Sequence, residues 1–246
     1  MNRTLSILIP AYNEEINLAT TVQNLQTVLR REIIPYQIVL VNDSSSDGTS
    51  RVIDSLIEKD KNICSVNRKP PRGFGRAIQS GLEVFHGDAL AIVMADSSDA
   101  PEDVVKYYRK LLEGYDCVFG SRFITGSTVE NYPKMKLILN RIANNIIRIM
   151  FMCPFNDLTN PFKAYKREVI DRCQPYRANY FNIELELSLF PLIRKYNIAQ
   201  VPIGWHGRIH GSSNFSIMTM GMKYLGTLAS IYIQFLFVLY GIRKIK

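Results

Sequence analysis

The chain has 246 residues, 47% of them hydrophobic, enough to bury a full α/β core within one large domain. Its 30 basic and 22 acidic residues give a formal charge of +8, which suits an anionic partner such as a nucleotide diphosphate, nucleic acid or a lipid surface, without choosing among them. Cys64, Cys117, Cys153 and Cys173 are scattered, with no C-x-x-C pair and no histidine at metal spacing, which argues against a zinc site or a disulfide framework.

Along the chain, Leu5 to Ile9 reads as a short strand ended by Pro10, too brief an apolar run for a signal-peptide core. Asn17 to Arg31 carries Leu18, Val22, Leu25 and Leu29 at helical spacing. Ile38 to Val41 is the next strand, and Thr49 to Lys59 the next helix, with Val52, Ile53, Leu56 and Ile57 on one face. Strands are then predicted over Asn62 to Asn67, Ala89 to Met94 and Asp116 to Gly120, and helices over Gly75 to Phe85 and Pro101 to Glu113. Strands alternating with helices predict an α/β fold with a mostly parallel sheet covered by helices on both faces.

After Gly120 the rhythm changes. Leu137 to Met152 reads as a basic amphipathic helix, suited either to a core or to a membrane surface. Val201 to Trp205 reads as an added strand and Arg208 to Ser216 as a polar loop. Tyr224 to Ile242 holds 19 residues without a charge before the basic RKIK end. That length meets the minimum for a membrane span and the basic tail favours a cytoplasmic end; a buried or dimer-forming helix, hence a homo-oligomer, is the alternative. The expected division is a domain over residues 1–216 and a C-terminal apolar helix with its tail over 217–246.

Two predicted strands run into acids: QIVLVNDSSSDGT reaches Asp43, and AIVMADSSDAPED reaches Asp96 and Asp99. Turn chemistry alone explains Asp and Ser there. In parallel sheets, however, ligands sit at the carboxyl ends of the strands, which makes Asp43 and Asp96 site candidates.

With these motifs in place, the sequence resembles the family 2 glycosyltransferases of GT-A fold, and within them the dolichyl- and polyprenyl-phosphate sugar transferases. SILIPAYNEE, VNDSSSDGT, GFGRAIQSGL, FGSRF, DLTNPFKAYKREV and VPIGWHGRIHGSSNF match the family's motifs in the family's order over about residues 4 to 216. The resemblance implies a nucleotide loop of Pro10, Tyr12, Asn13 and Glu14, with Asp43 hydrogen-bonding the base or ribose and Gly75, Arg122 and Ser213 further along the nucleotide-sugar site. Asn42 stands where the family usually has a first Asp.

The family's Asp-x-Asp motif, which binds Mg²⁺ or Mn²⁺ against the diphosphate, is reduced here to Asp96, with Met94 in the first position. Asp99 is either a second ligand or, as favoured, the cap of the helix beginning near Pro101. Arg208 resembles the diphosphate-binding arginine, while Asn214 replaces a usual lysine, leaving His210, Arg122, Arg72 or Arg76 to compensate. Lys163 resembles the basic residue for an acceptor phosphate, Asp157 opens the same motif, and Glu186, with Glu184 as competitor, falls at an acidic position.

The implied reaction is inverting transfer from a nucleotide-diphosphate sugar to a polyprenyl phosphate at the cytoplasmic face of a membrane, with no nucleic-acid partner. A phosphate acceptor needs no strong base, whereas a glycan or glycolipid hydroxyl would need one, and Asp157 would be the candidate. An inactive nucleotide-sugar-binding scaffold is the alternative from another class.

Overall fold

The computed structural model describes residues 3–207 and 217–241. Seven strands form the main sheet: β1 (Leu5–Ala11), β2 (Tyr36–Asn42), β3 (Ile63–Asn67), β4 (Ala89–Ile92), β5 (Cys117–Ser121), β7 (Lys163–Lys166) and β8 (Ile198–Pro202), in the order β3-β2-β1-β4-β7-β5-β8. All pairings are parallel except those of β7, which runs antiparallel between β4 and β5. A small parallel pair, β6 (Thr128–Glu130) and β9 (Gly204–His206), stands apart. The predicted strand over residues 201–205 is thus divided between β8 and β9.

The continuous apolar run of β1 is buried on both faces, as a parallel strand under two helical layers requires. Its alternate residues serve different cores. Ile7 and Ile9 pack with the helices α1 (Leu18–Arg31), α2 (Thr49–Lys59) and α4 (Pro101–Leu112). Leu8 packs on the opposite face with α3 (Phe74–Leu82), α6 (Arg167–Cys173) and α7 (Ile183–Ile193).

The predicted amphipathic helix exists as α5 (Lys134–Met150), but its polarity is largely inverted, with Ile147 the one apolar side chain it fully buries. Asn144 is fully buried, taking the Leu158 N–H at 2.6 Å and donating to Thr159 Oγ1 at 2.9 Å. Ile138, Ile142, Ile146 and Ile149 lie exposed on the other side. The C-terminal apolar stretch forms α8 (Ile217–Leu239), of which Gly221–Leu239 is long and apolar enough to cross a membrane. It is anchored by Ile231, by Asn182 Nδ2 donating to Thr227 Oγ1 at 2.8 Å, and by the Tyr224 hydroxyl donating to the Phe181 carbonyl at 2.9 Å.

Gly75, expected at the nucleotide site, has a packing role instead: it is buried where α3 meets the 178–180 segment. A Cβ there would stand 2.1 Å from the Ala178 carbonyl oxygen. Overpacking of this kind costs about 1–3 kcal/mol, so Gly75→Ala is expected to lower the urea midpoint. An unchanged midpoint would contradict this close approach.

Candidate active site

A cleft of about 1230 Å³ opens at the carboxyl ends of the parallel strands. Its walls come from the loops after β1, β2, β4 and β5, the loop before α3, and the facing sides of α5 and α8. Pro10, Tyr12, Glu14, Asp43, Asp96 and Arg122 all line it, as the strand-end rule leads one to expect.

At the end of the cleft beside β1 and β2, both Asp43 oxygens are engaged. Oδ2 accepts the Gly73 N–H at 2.7 Å, and Oδ1 forms a close ion pair with Arg68. Asp43 therefore organises the 68–73 loop, whose Arg72 guanidinium lies 4.2 Å from the centre of the Tyr12 ring. Arg68 was not among the expected residues, although its place just past the end of a predicted strand would have flagged it. Asn13 lies with φ 55° and ties two loops together, its Oδ1 accepting the Ser46 N–H at 2.8 Å. Glu14 is buried, with its N–H on Thr49 Oγ1 at 2.9 Å and its carboxylate accepting from Asn17. Asn42 builds the following turn, its Oδ1 accepting the Ser45 N–H at 3.1 Å.

After β4 the two acids part ways. Asp96 lines the cleft, with Oδ1 accepting the Ser98 N–H at 3.1 Å. Asp99 turns inward and accepts the Met94 N–H at 2.9 Å, which ends the strand two residues earlier than predicted. Burial pushes its carboxyl up to about 7. The expected helix cap is not made: the N-cap of α4 is Ala100, without a side-chain bond. The alternative of Asp99 as a metal ligand also fails on geometry, because it is buried and absent from the cleft wall. Among the described residues no three His, Cys, Asp or Glu side chains group together as a ready-made metal cage.

Deeper in the cleft lies a charge cluster. Arg122 grips Asp157 through Nε at 2.8 Å and Nη2 at 2.7 Å, and its backbone N–H adds a third bond at 3.0 Å. Both side chains are buried. Tyr132 and Trp205, whose rings are 4.7 Å apart, flank the guanidinium. With both oxygens held, Asp157 is a positioning residue rather than the expected candidate base.

Lys163 departs from expectation too. It is fully buried and absent from the cleft wall, and its ammonium donates to the carbonyls of Leu158 and Asn160. It serves as an internal counter-charge rather than an acceptor-phosphate contact. Glu184, not Glu186, faces the cleft; Glu186 accepts the N–H groups of Arg177 and Ala178 at 2.9 and 3.0 Å. Lys136 and Asn140 of α5 and Tyr224 of α8, none of them predicted as site residues, complete the wall. Arg208, His210, Ser213 and Asn214 lie outside the described residues.

Residues 6–173 match the family model described as Glycosyl transferase family 2. The polyprenol monophosphomannose synthase of Mycolicibacterium smegmatis is 30% identical, over 87% of this chain and 81% of its own length. The dolichol-phosphate mannosyltransferase of Pyrococcus furiosus is 26% identical over 88% of this chain, which spans only 60% of that relative's length. Among solved structures, glucosyl-3-phosphoglycerate synthase from Mycobacterium tuberculosis, crystallised with Mn²⁺, UDP and phosphoglyceric acid, superposes with a TM-score of 0.71 at 21% identity, covering 94% of this chain and 78% of that one. That likeness carries the fold. From the motif order, the strand-end cleft and the family match together, the chain belongs to glycosyl transferase family 2.

Proposed function

We propose that this glycosyltransferase moves a sugar from a nucleotide-diphosphate sugar to a polyprenyl phosphate at a membrane surface. The observation that carries the reading is the continuity of the cleft. It runs from Tyr12 and Asp43 past Asp96 and Arg122 into an apolar groove between α5 and α8, lined by Leu139, Ile146, Leu225 and Leu228. A sugar nucleotide fits the polar end, and a phosphate with a hydrocarbon chain fits the cation and the groove beyond it. The synthases of M. smegmatis and P. furiosus are named for transfer to polyprenol and dolichol phosphates, which supports the same acceptor class here.

Asp96 is the described carboxylate suited to a divalent cation at the diphosphate. A hard cation already holding phosphate oxygens and waters needs few protein carboxylates, so one aspartate with that shell fits Mg²⁺ or Mn²⁺. Bound there, the ion would neutralise the departing diphosphate.

Arg122 would hold the acceptor phosphate, because Asp157 gives its guanidinium a fixed direction, Nη1 donates only a long bond of 3.4 Å to the Tyr132 hydroxyl, and the residue lines the cleft. An acceptor phosphate oxygen then attacks the anomeric carbon, the bond to the diphosphate breaks, and the configuration inverts. The nucleophile arrives anionic, so no base is required. The commitment of both Asp157 oxygens to Arg122 favours this acceptor over a hydroxyl, which would need that carboxylate free.

The inverted amphipathicity of α5 and the exposed Met222, Leu225 and Ile233 of α8 give the groove an apolar rim. Such a rim suits contact with a bilayer, and the basic C-terminal tail favours the cytoplasmic face.

Incubation in detergent with labelled sugar nucleotides and farnesyl phosphate should place label on the lipid, while transfer to saccharide acceptors alone would refute this reading. Asp157→Asn is expected to cost about 3–5 kcal/mol in urea unfolding, the usual loss when a buried ion pair keeps one partner. A variant equally stable but inactive would restore Asp157 as a base.

A further inference from the structure

Glu184 is used by none of the steps above, yet its carboxyl faces the acceptor end of the cleft from the first turn of α7. It is 4% exposed. The one hydrogen-bond partner of its carboxyl among the described residues is the Tyr224 hydroxyl, 3.3 Å from Oε2. That hydroxyl already directs its proton to the Phe181 carbonyl at 2.9 Å, so it offers Glu184 little. An ionised carboxylate in such a place lacks donors, whereas a neutral acid lacks only an acceptor for its own proton.

Resting on the reading of a polyprenyl-phosphate acceptor, we propose that Glu184 binds the acceptor's phosphate as a neutral carboxylic acid, donating its proton in a hydrogen bond. The groups facing it are Lys163 and Tyr165 of β7, Arg122 after β5, Tyr132 before α5, Asp157 before β7 and Tyr224 of α8, with Lys136 of α5 on the same cleft wall. With Glu184 neutral, Arg122, Lys163 and Asp157 sum to one positive charge, which favours an entering anion. With Glu184 ionised they sum to zero, and its carboxylate then opposes a phosphate that is itself close to doubly charged above neutral pH.

Burial pushes the Glu184 carboxyl up to about 8, outweighing the opposite pull of Lys163 and Arg122. Burial also draws Lys163 down to about 8. Its two carbonyl acceptors stabilise the ammonium, so Glu184 is the member of the pair that titrates as acceptor binding is lost.

The test is equilibrium binding of farnesyl phosphate to the full chain in detergent. One required proton makes the Kd of the native protein rise about tenfold from about pH 7 to about pH 9, while Glu184→Gln stays within about twofold over the same range. Calorimetry of the native protein in two buffers of different ionisation enthalpy supplies a readout that needs no variant. Near pH 8.5 it should record uptake of roughly three-quarters of a proton per acceptor bound. Equal pH slopes in the two proteins, or no proton uptake, would overturn the role of Glu184 while leaving the acceptor class intact. No binding of farnesyl phosphate at any pH would instead overturn the acceptor class.

Discussion

A buried arginine must have its charge answered, and the forked pair of Arg122 with Asp157 is the interaction on which the deep end of the cleft depends. Two hydrogen bonds fix the guanidinium at the end of β5, and a third ties the Arg122 backbone N–H to the same carboxylate. Asp157 can reach it because β7 is inserted antiparallel between β4 and β5. Lys163, the first residue of β7, therefore pairs with Ile92 and Phe119 near the carboxyl ends of their strands. The chain entering β7 is thereby brought to the edge where ligands bind. One reversed strand in a parallel sheet supplies the positioning carboxylate, the internal ammonium and the Asn160 side chain that donates to the Gly120 carbonyl at 3.1 Å.

Around that cation the molecule has two chemistries. On one side, short polar loops cross-link one another: Asn13 to the Ser45–Ser46 turn, Asp43 to Arg68 and Gly73, Asp47 to Thr49. These bonds preorganise a wall for an anionic, hydrogen-bonding ligand. On the other side, α5 turns Asn144 toward the protein and Ile138, Ile142, Ile146 and Ile149 outward, and α8 rests on α7 with most of its apolar surface exposed. A helix in water buries the opposite face. The inversion makes sense where the outer medium is itself apolar.

The strand-to-acid junctions were legible because two independent signals coincided there: an apolar run of strand length and a carboxylate at its end. Asp43 and Asp96 stand where that logic puts them, and α2 has the predicted boundaries. β7 escaped detection because KAYK is four residues long and begins and ends in lysine, so no period can be read from it. α7 escaped for the opposite reason. Nearly every side chain in it is buried, including two glutamates, so it lacks the polar face that marks a helix in a sequence. The reassignments of Asp99, Lys163 and Glu186 share a cause: each is an acid or base whose partner is a backbone group nearby in the fold, and sequence spacing does not reveal which way such a side chain turns. Gly75 likewise meets the 178–180 segment, a contact about 100 residues away along the chain.

The measurement that bears most directly on this account is a crystal structure with a sugar nucleotide, Mn²⁺ and farnesyl phosphate bound together. It should show the diphosphate beside Asp96, the acceptor phosphate on Arg122, and the hydrocarbon chain between α5 and α8. An acceptor phosphate held elsewhere, with Arg122 contacting protein groups alone and the groove between those helices empty, would contradict it.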